Sequence, residues 1–338
     1  MDYRPLGRTG VQVSKLCLGT MMFGAWGNPD HDDSIRVIHA ALDAGINFVD
    51  TADVYSAGES EEIVGKALKG RRDDVVLATK FFMPMGDDPN RQGSSRRWIM
   101  RAVEDSLRRH DTDWIDLYQV HRPRTDTDVD ETLGALTDLV QQGKVRYIGS
   151  SSFSAGQIVE AQWTARDRRL ERFRTEQPPY SVLTRSIELD VLPTAQRHGM
   201  GILTYSPLGG GWLSGRWTAD SSPASPARRR LAARFDMSLP ENQRKLEAVE
   251  QLGTVADDAG LSMIELAIAF VVNHPAVTSA IIGPRTMEQL DSQLPAASVT
   301  LDAAVLDRID EIVTPGVNLN PADTSYGEQV LEPALRRR

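Results

Sequence analysis

Apolar positions along the chain switch repeatedly between two periods: short continuous runs, and longer segments where they recur every third or fourth residue. The opening stretch 3–14 alternates around Gly7-Arg8-Thr9-Gly10 and predicts a β-hairpin within a lead-in over 1–15. Eight apolar runs then predict strands over 16–19, 46–50, 75–80, 115–121, 146–150, 173–177, 201–205 and 278–282. Helix-period segments fill the gaps. The first covers 34–44, with Ile35, Ile38 and Leu42 on one face, Asp33 as cap and Gly45 at the end. Others cover 60–69, stopped by Gly70; 96–109, with Ile99, Val103 and Leu107 in register; and 131–142, ended by Gly143. Two more run from the Ser154 cap to about 166 and over 190–197, ended by Gly199. The interval before the last strand is longer. It holds a loop over 205–240 with a Pro/Ser/Ala-rich stretch at 221–227, and extra helices over 241–258 and 262–273. A last helix covers 286–294, and 314–338 reads as an irregular tail.

Strict alternation of strand and helix means a parallel sheet, closed into a barrel or left open and doubly wound. Eight units favour closure. The first strand is not followed by Gly-x-Gly-x-x-Gly, which counts against an open dinucleotide-binding sheet. The expected fold is therefore an α/β, (β/α)8 TIM barrel over 1–338 as a single domain, with an N-terminal β-hairpin and extra helices near the C-terminus.

Composition narrows the function classes. The 338 residues are 41% hydrophobic and 25% charged, ordinary globular values. No run of about 18 apolar residues occurs, and MDYRPLGRTG lacks a signal-peptide core, so a cytoplasmic protein with no membrane role is expected. The single cysteine, Cys17, excludes an internal disulfide framework and a Cys-rich metal site, and reads as a small core residue of the first strand. His31 and His110 have no metal-ligand spacing, so no metal is expected. A net charge of −9 gives a nucleic-acid role no support, and the short clusters at 228–230 and 336–338 read as solvated arginines.

Barrel enzymes work from the C-terminal ends of their strands. Asp50 ends the second predicted strand, Lys80 the third and His121 the fourth, and Tyr55 follows in the loop after Asp50. Each alone has a plain structural reading: a turn carboxylate, a solvated ammonium, a bonded core imidazole. Together they offer a carboxylate, an ammonium, an imidazole and a phenol to one small volume. A phenol of pKa near 10 needs help to act as a general acid at neutral pH. An ammonium about 4 Å away, at an effective dielectric near 20, supplies about 4 kcal/mol, enough to lower it by about three units. Lys80 is expected to do this to Tyr55, with Asp50 holding Lys80 and His121 orienting a substrate carbonyl. The proton from Tyr55 would go to an oxygen whose carbon receives hydride. No side chain supplies hydride, so a nicotinamide cofactor is implied.

The run Asp50-Thr-Ala-Asp-Val-Tyr55-Ser-Ala-Gly-Glu-Ser-Glu resembles the signature of the aldo-keto reductase superfamily, and Lys80 and His121 match its other catalytic positions in order and context. The resemblance runs from the hairpin to about residue 313. It implies a reductase turning an aldehyde or ketone into an alcohol, with a small carbonyl compound as substrate. It also implies cofactor contacts from Gly19, Thr20 and Met21, and from Ser151 and Ser152 with Gln177 at the nicotinamide carboxamide. The family usually has Ser-Asn where this chain has Ser151-Ser152, so that contact is expected to be weaker or water-mediated. Tyr205, Ser206, Leu208 and Gly210 resemble the loop over the pyrophosphate. Gly283, Arg285, Gln289 and Gln293 resemble the segment that grips the adenosine 2′-phosphate, which makes NADPH (NADP+) the expected cofactor ahead of NADH. Ser292 stands where the family often carries an acid.

Substrate choice is assigned to the loops after Gly19, Lys80, His121 and Tyr205 and to the tail. Trp26 is a candidate wall of the substrate pocket, Asn318, Asn320 and Tyr326 are candidate tail contacts, and Arg124 is a candidate for an acidic substrate. One alternative is an NADPH-binding, redox-sensing module resembling the potassium-channel β subunits, against which the hairpin's start at residue 3 is counted. Another is double-bond reduction, but the family's steroid double-bond reducers carry Glu where this chain has His121. A sugar-nucleotide keto-reductase is a third.

Overall fold

The computed structural model describes residues 1–124, 126–217 and 232–324. The stretch 221–227, both arginine clusters and Tyr326 lie outside them. The hairpin pairs β1 (Tyr3–Pro5) with β2 (Gln12–Ser14), Tyr3 opposite Ser14. Eight further strands close into a parallel barrel: β3 (Leu16–Gly19), β4 (Phe48–Asp50), β5 (Val76–Phe81), β6 (Ile115–Val120), β7 (Val145–Ser151), β8 (Thr175–Gln177), β9 (Gly201–Thr204) and β10 (Ser279–Ile282). Closure is made by β10 on β3, with Ile281 beside Cys17 and Ile282 beside Leu18. The expected (β/α)8 barrel with its hairpin is thus observed.

Side chains alternate across each strand, so residue parity decides what lines the barrel. Cys17, Phe48, Ala78, Leu117, Leu203 and Ile281 form one buried cluster inside it. Leu6 and Val13 of the hairpin join that cluster, closing the N-terminal mouth, where the Arg8 N–H donates to the Gly199 carbonyl at 3.1 Å. Opposite-parity residues such as Leu16, Leu18, Val49, Leu77, Tyr118 and Ile148 pack outward against the helices. These helices are α1 (His31–Asp43), α2 (Glu59–Leu68), α3 (Arg96–His110), α4 (Val129–Gln141), α5 (Ala155–Arg168), α6 (Val191–His198), α7 (Pro240–Asp258), α8 (Met263–Asn273), α9 (Met287–Gln293) and α10 (Ala303–Ile312).

Three differences from the sequence reading have physical causes. Helix α1 starts three residues earlier because Asp30, not Asp33, is the cap; the Asp30 carboxylate accepts from the Asp33 N–H at 2.9 Å. Its buried face is Ser34, Val37, Ile38 and Ala41, with Ile35 and Leu42 as flanks. Helix α10 was not predicted; its signal was Asp302, whose side chain accepts from the Val305 N–H, ahead of a mixed segment burying only Ile309 fully. Strand β6 ends at Val120, so His121 is the first residue past its strand and Lys80 the last but one in β5.

Candidate active site

The parity that turns Phe48, Ala78, Leu117 and Thr175 inward also turns in Asp50, Lys80, Gln119 and Gln177, each two residues further along its strand. These four form the polar layer above the apolar interior. Lys80 is fully buried, so its charge must be matched. Its Nζ donates to Asp50 Oδ1 at 2.5 Å, to the Thr51 carbonyl at 2.7 Å and to the Tyr55 hydroxyl at 3.3 Å, which uses all three ammonium protons. The other Asp50 oxygen accepts from the amides of Gln177 at 2.9 Å and Gln119 at 3.1 Å.

Tyr55 reaches this layer from a short 3-10 turn, Tyr55–Gly58. The turn needs left-handed backbone at Ser56, Ala57 and Gly58. At Gly58 (φ +100°) a Cβ would also meet Arg109 Cδ at 2.7 Å, so both conformation and space demand glycine there. Ser56 fastens the turn to the loop after β3, accepting from the Trp26 N–H at 3.1 Å and donating to the Phe23 carbonyl at 3.2 Å. Trp26 consequently lies against the phenol, ring centroids 6.1 Å apart. His121 meets the phenol edge-on, centroids 5.9 Å apart, and its buried Nδ1 has no partner among the described residues.

The electrostatics correct one expectation. Tyr55 is not lowered but raised above the ordinary phenol value: burial raises it, Lys80 draws it down, and Asp50 pushes it back. Lys80's charge is largely answered by a carboxylate 2.5 Å away, so the phenol faces a near-neutral pair. Tyr55 is therefore held protonated, the state a proton donor requires. Burial works against the Lys80 ammonium, but Asp50 and Tyr55 raise it on balance, so it stays charged. His121 falls well below the usual imidazole range through burial and the cations Lys80 and Arg122, and is neutral at neutral pH.

Two buried acids behind the site were not anticipated. Glu61, on α2, is fully buried on the outer face of the barrel and accepts from Thr79 Oγ1 at 2.5 Å, Arg109 Nε at 2.6 Å and Ser106 Oγ at 3.3 Å. It ties α2, and with it the Tyr55 turn, to β5 and α3. Nearby Asp53 is pushed well above the carboxylate range by burial and by Glu61. Glu176 faces outward from β8, accepting from Ser150 Oγ at 2.5 Å and the Phe153 N–H at 3.0 Å, and so braces the turn at Ser152 (φ +60°).

Burial lifts the Glu176 carboxyl to about 8, against hydrogen bonds from Ser150, Phe153 and Ser152 that favour the anion. A carboxyl raised on folding contributes stability that is complete below its unfolded value of 4.5 and is lost as pH rises through about 8. Glu176→Gln, which keeps an acceptor for Phe153 and a donor for Ser150, is expected to raise Tm more at pH about 8 than at about 5. An equal shift at both, by differential scanning fluorimetry, would refute the buried neutral acid.

The residues expected at the cofactor surround this centre, with varied freedom. Ser151 Oγ donates to the Gln177 carbonyl at 2.9 Å, and the Gln177 amide is committed to Asp50, leaving little of either for an outside group. Ser152 Oγ lies 3.1 Å from Arg122 Nη1 and 3.3 Å from the Tyr205 hydroxyl. Gly19 is buried against Ile281 at the top of β3, while Thr20 Oγ1 is used within the fold by Ser60 Oγ at 2.8 Å and the Asp50 carbonyl at 3.3 Å. Met21 is exposed. Ser206 is exposed and left-handed (φ +59°), and Leu208 leads into Gly209–Gly211, where Gly210 (φ +70°) brings backbone to the surface. Gly283 is exposed with open space over it. The Gln289 side chain turns back to accept from the Arg285 N–H at 2.8 Å, and Ser292 Oγ donates to the Gln289 carbonyl at 2.9 Å. The Arg285 guanidinium makes no hydrogen bond or ion pair among the described residues, and the buried Gln293 Oε1 has no partner among them. The unpartnered Arg285 guanidinium and Gln293 amide, together with exposed left-handed backbone at Ser206 and Gly210, suit a dinucleotide cofactor.

Gln119, Arg122, Glu61 and Glu176 were missed. For Gln119 the signal was parity, two residues before His121 on an inward-facing row. Arg124 closes on Asp126 through Nε and Nη2, and so is already partnered. Asn318 is bonded to Ser186, and Asn320 to Asn242 and Ala233, so both fasten the tail rather than line the site. Cys17 is buried in the barrel, His31 pairs with Glu59, and His110 is buried beside Glu61. No three metal-ligating side chains converge among the described residues, and no described helix is long and apolar enough to cross a membrane.

Comparison with known proteins places these features in a wider set. The model for the Aldo/keto reductase family matches residues 15–314. The chain is 42% identical to the uncharacterized oxidoreductase YrpG of Bacillus subtilis over 92% of its own length and 96% of that protein's. It is 36% identical to a probable voltage-gated potassium channel subunit beta of Arabidopsis thaliana, covering 93% of this chain and 97% of that one. Against the aldo-keto reductase YhdN of Bacillus subtilis it is 35% identical over 99% of both.

Proposed function

The chain belongs to the aldo/keto reductase family, and on that premise we propose that it reduces an aldehyde or ketone to the alcohol with NADPH. The observation that carries this reading is the Lys80 ammonium, bonded at once to the Asp50 carboxylate and the Tyr55 hydroxyl, with His121 edge-on to the same phenol. A bound nicotinamide would supply hydride to the carbonyl carbon. Tyr55 gives its proton to the carbonyl oxygen, and Lys80 stabilises the phenolate left behind. Neutral His121 hydrogen-bonds the same oxygen and sets the orientation of the carbonyl. Trp26 covers the phenol and limits water there. Arg285, Gln293 and the exposed backbone around Gly210 and Gly283 hold the cofactor's phosphate end.

Purified protein offered a reactive aromatic aldehyde is expected to oxidise NADPH over many turnovers, and NADH less efficiently. In the same assay Arg285→Ala should raise the NADPH dissociation constant at least about tenfold and the NADH constant far less, since only one of the two carries the phosphate a guanidinium forks onto. Equal weakening of both would remove the 2′-phosphate assignment.

The likeness to the probable potassium channel β subunit favours a second reading, an NADPH-binding module that reports redox state to a partner. Sustained turnover excludes it as the sole function; tight NADPH binding with negligible turnover of any carbonyl would establish it in place of the reductase.

A further inference from the structure

The reacting end of the site carries one charge that the reduction chemistry does not use. Lys80 and Asp50 cancel, His121 and Tyr55 are neutral, and Glu176 is neutral below about 8. Arg122 is left. It follows His121 directly and is half-buried. Its charge is felt at Tyr55, His121 and Glu176, each of which it draws down. Both of its hydrogen bonds leave through Nη1, to the His121 carbonyl at 2.8 Å and Ser152 Oγ at 3.1 Å. The opposite edge, where Nε and Nη2 present two parallel N–H donors, makes no hydrogen bond among the described residues.

Comparable arginines show what that edge takes when a partner is at hand. Arg124 turns Nε and Nη2 onto Asp126. Arg72, Arg109 and Arg185, also enclosed, each close on a carboxylate: Asp116, Glu61 and Glu188. Arg122 closes on none among the described residues; nor do half-buried Arg4 and Arg172, which bond only backbone carbonyls among them. Arg122 differs from those two in adjoining His121 and holding Ser152. A half-buried guanidinium with an open fork, next in the chain to His121 and bonded to Ser152 Oγ, matches a planar anion carried by whatever brings its carbonyl to Tyr55.

Resting on the reductase reading of this same site, we propose that Arg122 makes the enzyme select anionic carbonyl compounds, binding a carboxylate on the substrate while Tyr55 and His121 take its carbonyl oxygen. The acid-recognition role that the sequence suggested for Arg124 passes to Arg122, because Arg124 is already partnered.

The test compares the three carboxybenzaldehydes with their methyl esters, at saturating NADPH, in wild type, Arg122→Met and Arg122→Lys. Wild type is expected to favour at least one acid over its ester by about tenfold or more in kcat/KM, the effect of a forked charge-assisted bond. Arg122→Met should bring that ratio to about one, while ester turnover and the NADPH dissociation constant stay within about twofold. Arg122→Lys, with charge but no fork, should fall between. No acid preferred by wild type, or an unchanged ratio in Arg122→Met, overturns the proposal. So does a loss shared equally by acids, esters and NADPH binding, which would make Arg122 a brace for Ser152. If no aldehyde turns over, the reductase reading fails separately. Binding of the carboxybenzaldehydes to the NADPH complex then still decides: affinity lost in Arg122→Met upholds the anion site, and equal affinity removes it.

Discussion

Tyr55→Phe is expected to lower kcat for carbonyl reduction by about 10²–10⁴-fold, the usual contribution of a positioned proton donor, while leaving NADPH affinity nearly unchanged. The substitution removes one oxygen and keeps the ring that Trp26 and His121 pack against. It leaves the Lys80–Asp50 pair and the Thr51 bond in place, so the fold should survive and the loss should be chemical. The wild-type pH profile carries the same argument. Burial and Asp50 outweigh Lys80 and raise the phenol, so the protonated form that reduction uses persists above the ordinary value of about 10. Reduction should stay level through neutral pH and decline only in strongly alkaline solution; alcohol oxidation, which needs the phenolate, should be slow at neutral pH and rise with pH. His121, neutral throughout, should add no break near 6.5. Rapid quench of a single turnover, with NADPH binding by fluorescence, separates chemistry from binding. A Tyr55→Phe enzyme within a factor of about three of wild type would displace Tyr55 as the acid.

The convergence of these side chains was readable because parallel strands obey parity and barrels display their C-terminal ends. Asp50, Lys80 and His121 fell at three successive strand ends, and the structure brings them together with Tyr55. Parity also held the information for Gln119, which went unread because a glutamine carries no chemistry of its own; it matters by answering Asp50. Glu61 and Glu176 were illegible for a different reason. Each points outward, so its partners, Thr79 and Arg109 for one and Ser150 and Phe153 for the other, follow from how helices and loops pack against the barrel. The sign of the Tyr55 shift was misjudged by counting Lys80 and leaving out burial, the largest influence, and then Asp50. A buried ammonium brings its counterion with it, and the pair's field at a third group is much smaller than either charge would give. Arg122 went unread beside Arg124; the structure separates them by burial and partners, Arg122 bonding Ser152 and the exposed Arg124 closing on Asp126.

That buried pair sets the other large effect. Lys80→Met is expected to lose essentially all reductase activity and about 3–5 kcal/mol of stability, because it strands the Asp50 carboxylate without its cation. The Gln119 and Gln177 amides still donate to Asp50, so the fold should survive with a lower Tm. A lone buried carboxyl favours its protonated form, so the deficit should grow from pH about 5 to about 8. In wild type the sign is opposite and the window lies elsewhere. The Lys80 ammonium titrates above its ordinary range, so the pair's contribution is complete below about 10.4 and fades only as pH climbs through the higher folded value. The double variant Asp50→Asn/Lys80→Met removes the stranded charge and keeps an oxygen for the two glutamines. It should recover most of the lost stability, shed the pH dependence between 5 and 8, and recover no activity. Thermal melts of the three proteins across pH, beside turnover, check the set. A double variant no more stable than Lys80→Met would mean that Lys80 stabilises the barrel through Thr51 and packing and not by answering Asp50, and that the carboxylate layer is tolerant of a missing cation.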